Sequence, residues 1–358
     1  MKNILKNIFF SKKGKDSQQK HLKEKFNIPP QIALDADDIT DNGIIRGGEK
    51  NHIQARIGVM ISLHFLHGWE RYKREAVLAM AEEYISLFPE DVTHYKLPGE
   101  KRYRKLPAPE LPEAYKKIPE MKEDEKGYIF LIEDDSKEPD TPPLWLFWGT
   151  NYSKAQAEVF PNGRSDRPVS GIKVHFPPNF LFDDPDRFVD LVTRWSNMVS
   201  ALHGTAGLAA ISLPGTEKYN LYNYPLAKAF PALDYDNRGM FWVEIRYGNW
   251  ENVRTSNWLT ILGDGPISRI GGMDVISQAK TGDMTLIPYD GGAVVRACTL
   301  PALGDEATGG IPEGYRIAAR LIKPIRFEGY NWGSLFGYQE EDKENKAQLN
   351  HDWIRRFD

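Results

Sequence analysis

Cysteine is almost absent from this chain. Its one thiol, Cys298, excludes an intrachain disulfide, which fits a reducing compartment and leaves the fold to its apolar core. Long apolar runs are missing as well: nothing approaches the ~18–20 consecutive apolar residues of a membrane helix. The opening M-K-N-I-L-K-N-I-F-F-S-K-K has a trace of signal-peptide character. Lys6 and Asn7 interrupt its apolar core, however, and no small-residue cleavage site follows. The sequence reads as that of a soluble, cytoplasmic protein. Its 358 residues, 41% hydrophobic and 12% aromatic, suffice for a sizeable core.

The patterns that carry chemistry are also wanting. The glycine-rich stretch S-N-W-L-T-I-L-G-D-G-P-I-S-R-I-G-G (256–272) follows a strand-like run and invites comparison with a phosphate loop. It has no lysine followed by Ser or Thr to hold phosphates and magnesium, and it lacks the G-x-G-x-x-G spacing of a dinucleotide site. His64 and His67, near Glu70, are three apart, without the glutamate of a zincin motif and without a second ligand cluster; His175 and His203 are isolated. Gly333-Ser334-Leu335-Phe336-Gly337 misses the G-x-S-x-G elbow by one position. Glu120 and Lys122 form an E-x-K of the nuclease type, but within a proline-rich excursion instead of on a core strand. The aspartates at 35, 37, 38 and 41 lack the closing glutamate of a calcium loop and read as a polar turn. No catalytic residue, metal ligand or cofactor site is expected.

Charge, by contrast, is plentiful and unevenly placed. Residues 1–25 hold eight lysines against Asp16 and Glu24, a net of +6; the whole chain is −4, so the remainder is −10. Residues 1–30 read as a disordered basic tail. An acidic body is ill suited to nucleic acid, which needs a basic face, and well suited to a basic partner. The richest acidic run is Glu120–Asp140, with nine acids against three lysines. Within it Glu133, Asp134 and Asp135 follow a strand, a natural position for binding. The aromatic segment 219–258 supplies possible anchors in Tyr247 and Trp250, with Glu251 beside them in R-Y-G-N-W-E.

Hydrophobic periodicity predicts an α+β fold with mixed or antiparallel sheets and packed helices. Strands are expected at 52–65, 128–133, 144–149, 171–176, 206–213, 241–245 and 258–262, with a hairpin of 285–288 and 293–297 about Asp290-Gly291-Gly292. Helices are expected at 69–88, 185–202, 273–278 and 312–322, the second capped by Asp183 or Asp184 and ended by His203-Gly204. Two strand–helix–strand blocks, near 52–150 and 169–213, suggest a pseudo-duplicated unit. The domain expected over 31–345 could divide into halves 50–165 and 166–345, followed by a C-terminal segment 346–358. In the 256–272 stretch, Trp258 and Leu262 would plug the core. Gly263 would break the strand, Asp264 would cap a short helix, and Gly271 and Gly272 would end it.

Four segments come in a telling order: W-L-T-I-L-G-D (258–264), R-I-G-G (269–272), V-V-R-A (294–297) and P-E-G-Y-R-I-A-A-R-L-I-K-P-I-R (312–326). In these the chain resembles the type VI secretion immunity family that neutralises VRR-NUC and related restriction-type nuclease effectors. The resemblance extends less sharply over about residues 50–340 and leaves the basic tail outside. It implies a non-enzymatic, cytoplasmic antitoxin that binds a cognate nuclease and covers its nucleic-acid or metal site. Two other readings remain open on the residues alone: a metal-dependent hydrolase using His64 and His67, and a nucleic-acid-associated protein acting through the basic tail.

Overall fold

A computed structural model of the chain describes residues 22–29, 31–49, 51–134, 141–217, 219–330 and 333–358. Its frame is β2 (His52–Phe65), a strand of 14 residues built on alternating Ile, Val and Leu. β1 (Ile44–Gly47) pairs with its first half, while β7 (Ser170–Phe176) and β8 (His203–Ile211) flank its second half. Beyond β7 lie β6 (Leu146–Asn151), β5 (Gly127–Ile132), β3 (His94–Tyr95) and β4 (Arg104–Lys105). Beyond β8 lie β9 (Leu259–Gly263), β11 (Gly292–Arg296) and β10 (Thr285–Tyr289). Every neighbouring pair is antiparallel, and one 11-stranded sheet runs through both expected halves.

Two crossovers interlock at the centre. β2 leads through the helix Arg71–Leu87 to β3, passing over β7, β6 and β5; β7 leads through the helix Pro185–Met198 to β8, passing over β2. Both helices pack on the face made by the odd-numbered residues of β2, from Ala55 to Phe65, with Tyr84, Phe176 and Trp195 fully buried in that layer. The Tyr84 hydroxyl donates to the His175 carbonyl at 2.7 Å, which pins the first helix to the sheet. Asp184 caps the second helix by accepting from the Arg187 N–H at 3.0 Å. The opposite face is covered by residues 214–258 and by the C-terminal part, where Trp353, Ile354 and Phe357 are buried. The edge formed by β9, β11 and β10 has a smaller core of its own with the helices Asp264–Arg269, Met273–Ala279 and Glu313–Ile322.

The α+β class and most elements match the sequence reading; four local expectations do not. Residues 241–245 are not a strand: they lie in the helix Arg238–Glu244 and the turn after it, because the Asn237 side chain accepts from the Met240 N–H and starts a helix despite the β-forming Phe241-Trp242-Val243. His203-Gly204 does not end the second crossover helix but opens β8. Asp35 is no polar turn; it caps the helix Ala36–Asn42, accepting from the Asp38 N–H at 2.9 Å. Asp264 is not a cap either. The strand continues through Gly263, which is itself the cap, and the Asp264 side chain makes no capping bond.

Close approach explains that last shift. A Cβ on Gly263 would stand 2.4 Å from the Ala201 carbonyl, so only glycine fits where the strand meets the preceding turn. The Asp264 N–H is already taken by the Gly291 carbonyl at 2.9 Å. Gly271 (φ 104°) and Gly272 (φ 97°) sit in the left-handed region and turn one short helix into the next. Of the lysine-rich tail expected over residues 1–30, residues 1–21 and 30 lie outside the described residues. Lys23 pairs with Asp305 at 2.7 Å, and Ile28 is buried.

Trp258 and Leu262 are fully buried, and Trp258 stacks on Phe188 at 6.1 Å while donating its indole N–H to the Cys298 carbonyl at 2.7 Å. Trp258→Ala is expected to cost ~3–5 kcal/mol of stability, read from denaturant unfolding. A stably folded Trp258→Ala protein that fails to bind its partner would move this stretch from core to interface.

Candidate functional site

The densest set of titratable groups lies between the sheet and its cover, not on the surface. Cross-strand register aligns Trp148, Lys173, Ser62, Thr205 and Thr260 in one row across β6, β7, β2, β8 and β9. Against this row the covering segment sets Glu217, Asp234, Asp236, Arg238 and Arg254, all buried. Arg254 meets Asp234 at 2.6 Å and also donates to the Thr205 hydroxyl at 2.7 Å. Ser62 donates to Asp236 at 2.8 Å, and Lys173 donates to the Asp236 carbonyl at 2.8 Å while pairing with Glu217 at 3.4 Å. Arg238 lies over the Trp148 ring at 3.6 Å and donates to the Trp148 carbonyl. Three acids thus face three bases, sealed from solvent. The set fastens the cover to the sheet.

Burial controls the protonation of this layer. His64 and His203, whose rings lie 4.7 Å apart, are held well below the ordinary histidine pKa by desolvation, His203 next by His64, and both by Arg254. Burial, with Lys173 nearby, lowers His175 to about 3. Burial would raise the Asp236 carboxyl, but Arg254, Lys173 and Arg238 together hold it below its usual value. His67 belongs elsewhere: it is exposed at the strand end, 3.9 Å from Glu70, so the two histidines of the hydrolase reading do not converge. Among the described residues no three His, Cys, Asp or Glu side chains are grouped so as to hold a metal ion.

The residues expected to bind a partner fall at opposite ends of the sheet. Glu133 and Asp134 follow β5, whose last residue, Ile132, pairs with Leu146. There the Glu133 carboxylate accepts the Leu144 N–H at 2.8 Å and closes the connection to β6; Asp134 is exposed, and Asp135 lies outside the described residues. Tyr247, Trp250 and Glu251 sit at the other end. The Arg246 carbonyl accepts the Ser165 N–H at 2.9 Å, and the Ser165 hydroxyl and Arg167 N–H both bond the Gln156 carbonyl, just past the end of β6 at Asn151. Tyr247 is 58% exposed under the Arg164 guanidinium. Trp250 is half-buried, and Glu251 is exposed with its carbonyl taken by Arg269 at 2.9 Å.

That second end carries features the sequence reading passed over. A groove of about 710 Å³ runs between Trp69, the turn at Glu123-Asp124 and the segment Lys154–Val159. Val159 and Phe160 are 46% and 44% exposed, and the Phe160 N–H donates to the Arg164 carbonyl, which joins the groove to Tyr247. Its acidic wall is held from beneath by Arg74. This buried guanidinium donates to the carbonyls of Met121, Lys122 (3.0 Å) and Glu125 (2.6 Å), so the turn's backbone is fixed while Glu123 and Asp124 are exposed. The acidic run 120–140 is therefore cut in two by β5. No periodicity marks Val159-Phe160-Pro161-Asn162-Gly163 as anything but a turn, which is why the surface was not legible.

The family described as Type VI immunity for VRR-NUC matches residues 76–357. The chain belongs to this family. It is a type VI secretion system immunity protein, a component of interbacterial competition, and its family is defined by VRR-NUC nuclease effectors. No curated protein matches the sequence. A solved structure of a T6SS protein from Pseudomonas aeruginosa shares the fold with a TM-score of 0.72 at 18% identity, over 90% of this chain and 90% of that one. Among the described residues no helix of this immunity protein is long and apolar enough to cross a membrane.

The sealed histidines give a pH dependence with a definite sign. Unfolded, His64, His175 and His203 take up protons below about pH 6.5; folded, they stay neutral to far lower pH, so stability falls as pH drops through that value. The slope is at most about 4 kcal/mol per pH unit for three such groups. Asp236 adds a further loss once pH falls through the ordinary carboxylate range. The urea midpoint is expected to fall between about pH 7.5 and pH 5.5, and His203→Phe to flatten that fall; an unchanged midpoint would contradict the burial argument.

Proposed function

We propose that this immunity protein acts in the cytoplasm without chemistry of its own, binding its VRR-NUC effector and covering the path along which the nuclease holds nucleic acid. The observation that carries the reading is charge. A nuclease must present a basic face to phosphates, and residues 26–358 carry a net −10. An acidic body is steered to such a face and competes with the substrate for it. The Pseudomonas aeruginosa structural neighbour, a T6SS protein, fits the same setting. Protection requires that the inhibitor outcompete DNA, so an interface of ~1,600 Å² or more and a sub-nanomolar Kd are expected.

Co-expression with its cognate VRR-NUC effector should rescue growth, and the two proteins should co-purify. In a metal-free binding assay, where no cleavage occurs, the immunity protein should displace labelled DNA from the effector. Displacement failing while cleavage is still blocked would rule out occlusion. A nuclease fully active at saturating immunity protein would sink the assignment to that effector.

A further inference from the structure

We infer that the groove between Trp69 and the Lys154–Val159 segment is the docking surface for the effector, and that it takes an apolar side chain flanked by lysine or arginine from the nuclease's phosphate-binding face. The inference rests on the immunity reading above and names the surface that reading leaves open. Three observations converge. The groove is largely apolar, lined by the half-buried Trp69 and Ala157 and by the exposed Ala155 and Val159. Its rim holds three carboxylates, Glu123, Asp124 and Glu158, against one ammonium, Lys154, which is already paired with Glu123 at 2.8 Å. Among the described residues, four of the five large apolar side chains exposed to 44% or more lie at this end, Tyr72, Val159, Phe160 and Tyr247; the fifth, Tyr219, lies elsewhere.

An apolar floor with an acidic rim is complementary to a basic nucleic-acid site, where aliphatic and aromatic residues stand among lysines and arginines. The floor would supply the buried contact and the rim the steering. The rim is also preorganised. Arg74 holds the acidic turn through its carbonyls, and the Lys154 N–H donates to the Glu123 carbonyl at 2.7 Å, so little ordering remains for the bound state.

The test uses the full chain and its cognate VRR-NUC effector. Asp124→Lys with Glu158→Lys should weaken binding at least about tenfold, mainly by slower association, and should flatten the salt dependence. Val159→Asp adds an acid, so steering alone predicts no loss; an apolar seat predicts an affinity drop of about tenfold or more through faster dissociation. All three positions are exposed, and melting temperatures should match the wild type. Glu340→Lys with Glu344→Lys reverses the same number of charges on the remote Glu340–Asn345 turn and should leave affinity within about twofold.

Groove variants that bind like a wild type that protects would overturn the assignment and leave the immunity reading standing. So would an equal loss in the remote variant. A free chain that dimerises and is made monomeric by Val159→Asp would give the face to a second copy and overturn it too. A wild type that neither binds nor protects would remove the immunity reading, and this inference with it.

Discussion

The structure depends on the Arg254–Asp234 pair of the covering segment, both partners of which bond the Thr205 hydroxyl on β8. One face of the central strands is apolar and would bury itself against almost any amphipathic helix. The other carries lysine, serine, threonine and histidine side chains in register, and burying it without partners would cost several kcal/mol per group. The 214–258 segment partners Lys173, Ser62 and Thr205 with Glu217, Asp236, Asp234 and Arg254, each placed over a specific strand position. The cover can therefore sit in one register only. A sliding apolar interface would not impose this, and the polar layer exchanges some stability for a single placement. Everything after β8, including β9 and the turn bearing Tyr247, takes its position from that placement.

What was legible in the sequence follows from which interactions are local. β2 is spelled out by its alternation of Ile, Val and Leu, and the crossover helix at Pro185 by an aspartate, a proline and an apolar stripe, all within one stretch. The hairpin about Gly291 is likewise local. Arg238–Glu244 was misread because its β-forming residues are outweighed by one cap at Asn237 and by burial of Phe241 and Trp242 beneath the sheet. Gly263 replaced Asp264 as the cap because of a carbonyl contributed from Ala201, some sixty residues earlier in the chain. No local rule reads that contact.

The binding surface shows the same division more sharply. Acidic residues between 120 and 140 look like one patch on paper, yet the six-residue strand in their middle carries Glu123 and Asp124 to one end of the sheet and Glu133 and Asp134 to the other. Proximity in sequence was the wrong measure there. Conversely Glu123, Val159 and Tyr247, far apart in the chain, share one surface because the strand ends and the Ser165–Arg246 bond gather them. The chain's immunity family was readable from four motifs that build the β9–β11 edge; none of the four touches the groove. Those motifs preserve a scaffold, while the surface that meets the partner is written in loops.

Arg74 draws out a last point. Because it grips the acidic turn only through backbone carbonyls, its hold on the turn does not depend on the side chains of Glu123 and Asp124. Glu123 and Asp124 can be exchanged for other residues without loosening their own support. An immunity protein facing a changing toxin needs that separation: its contact chemistry can drift with the opponent while the arginine underneath keeps the platform in place.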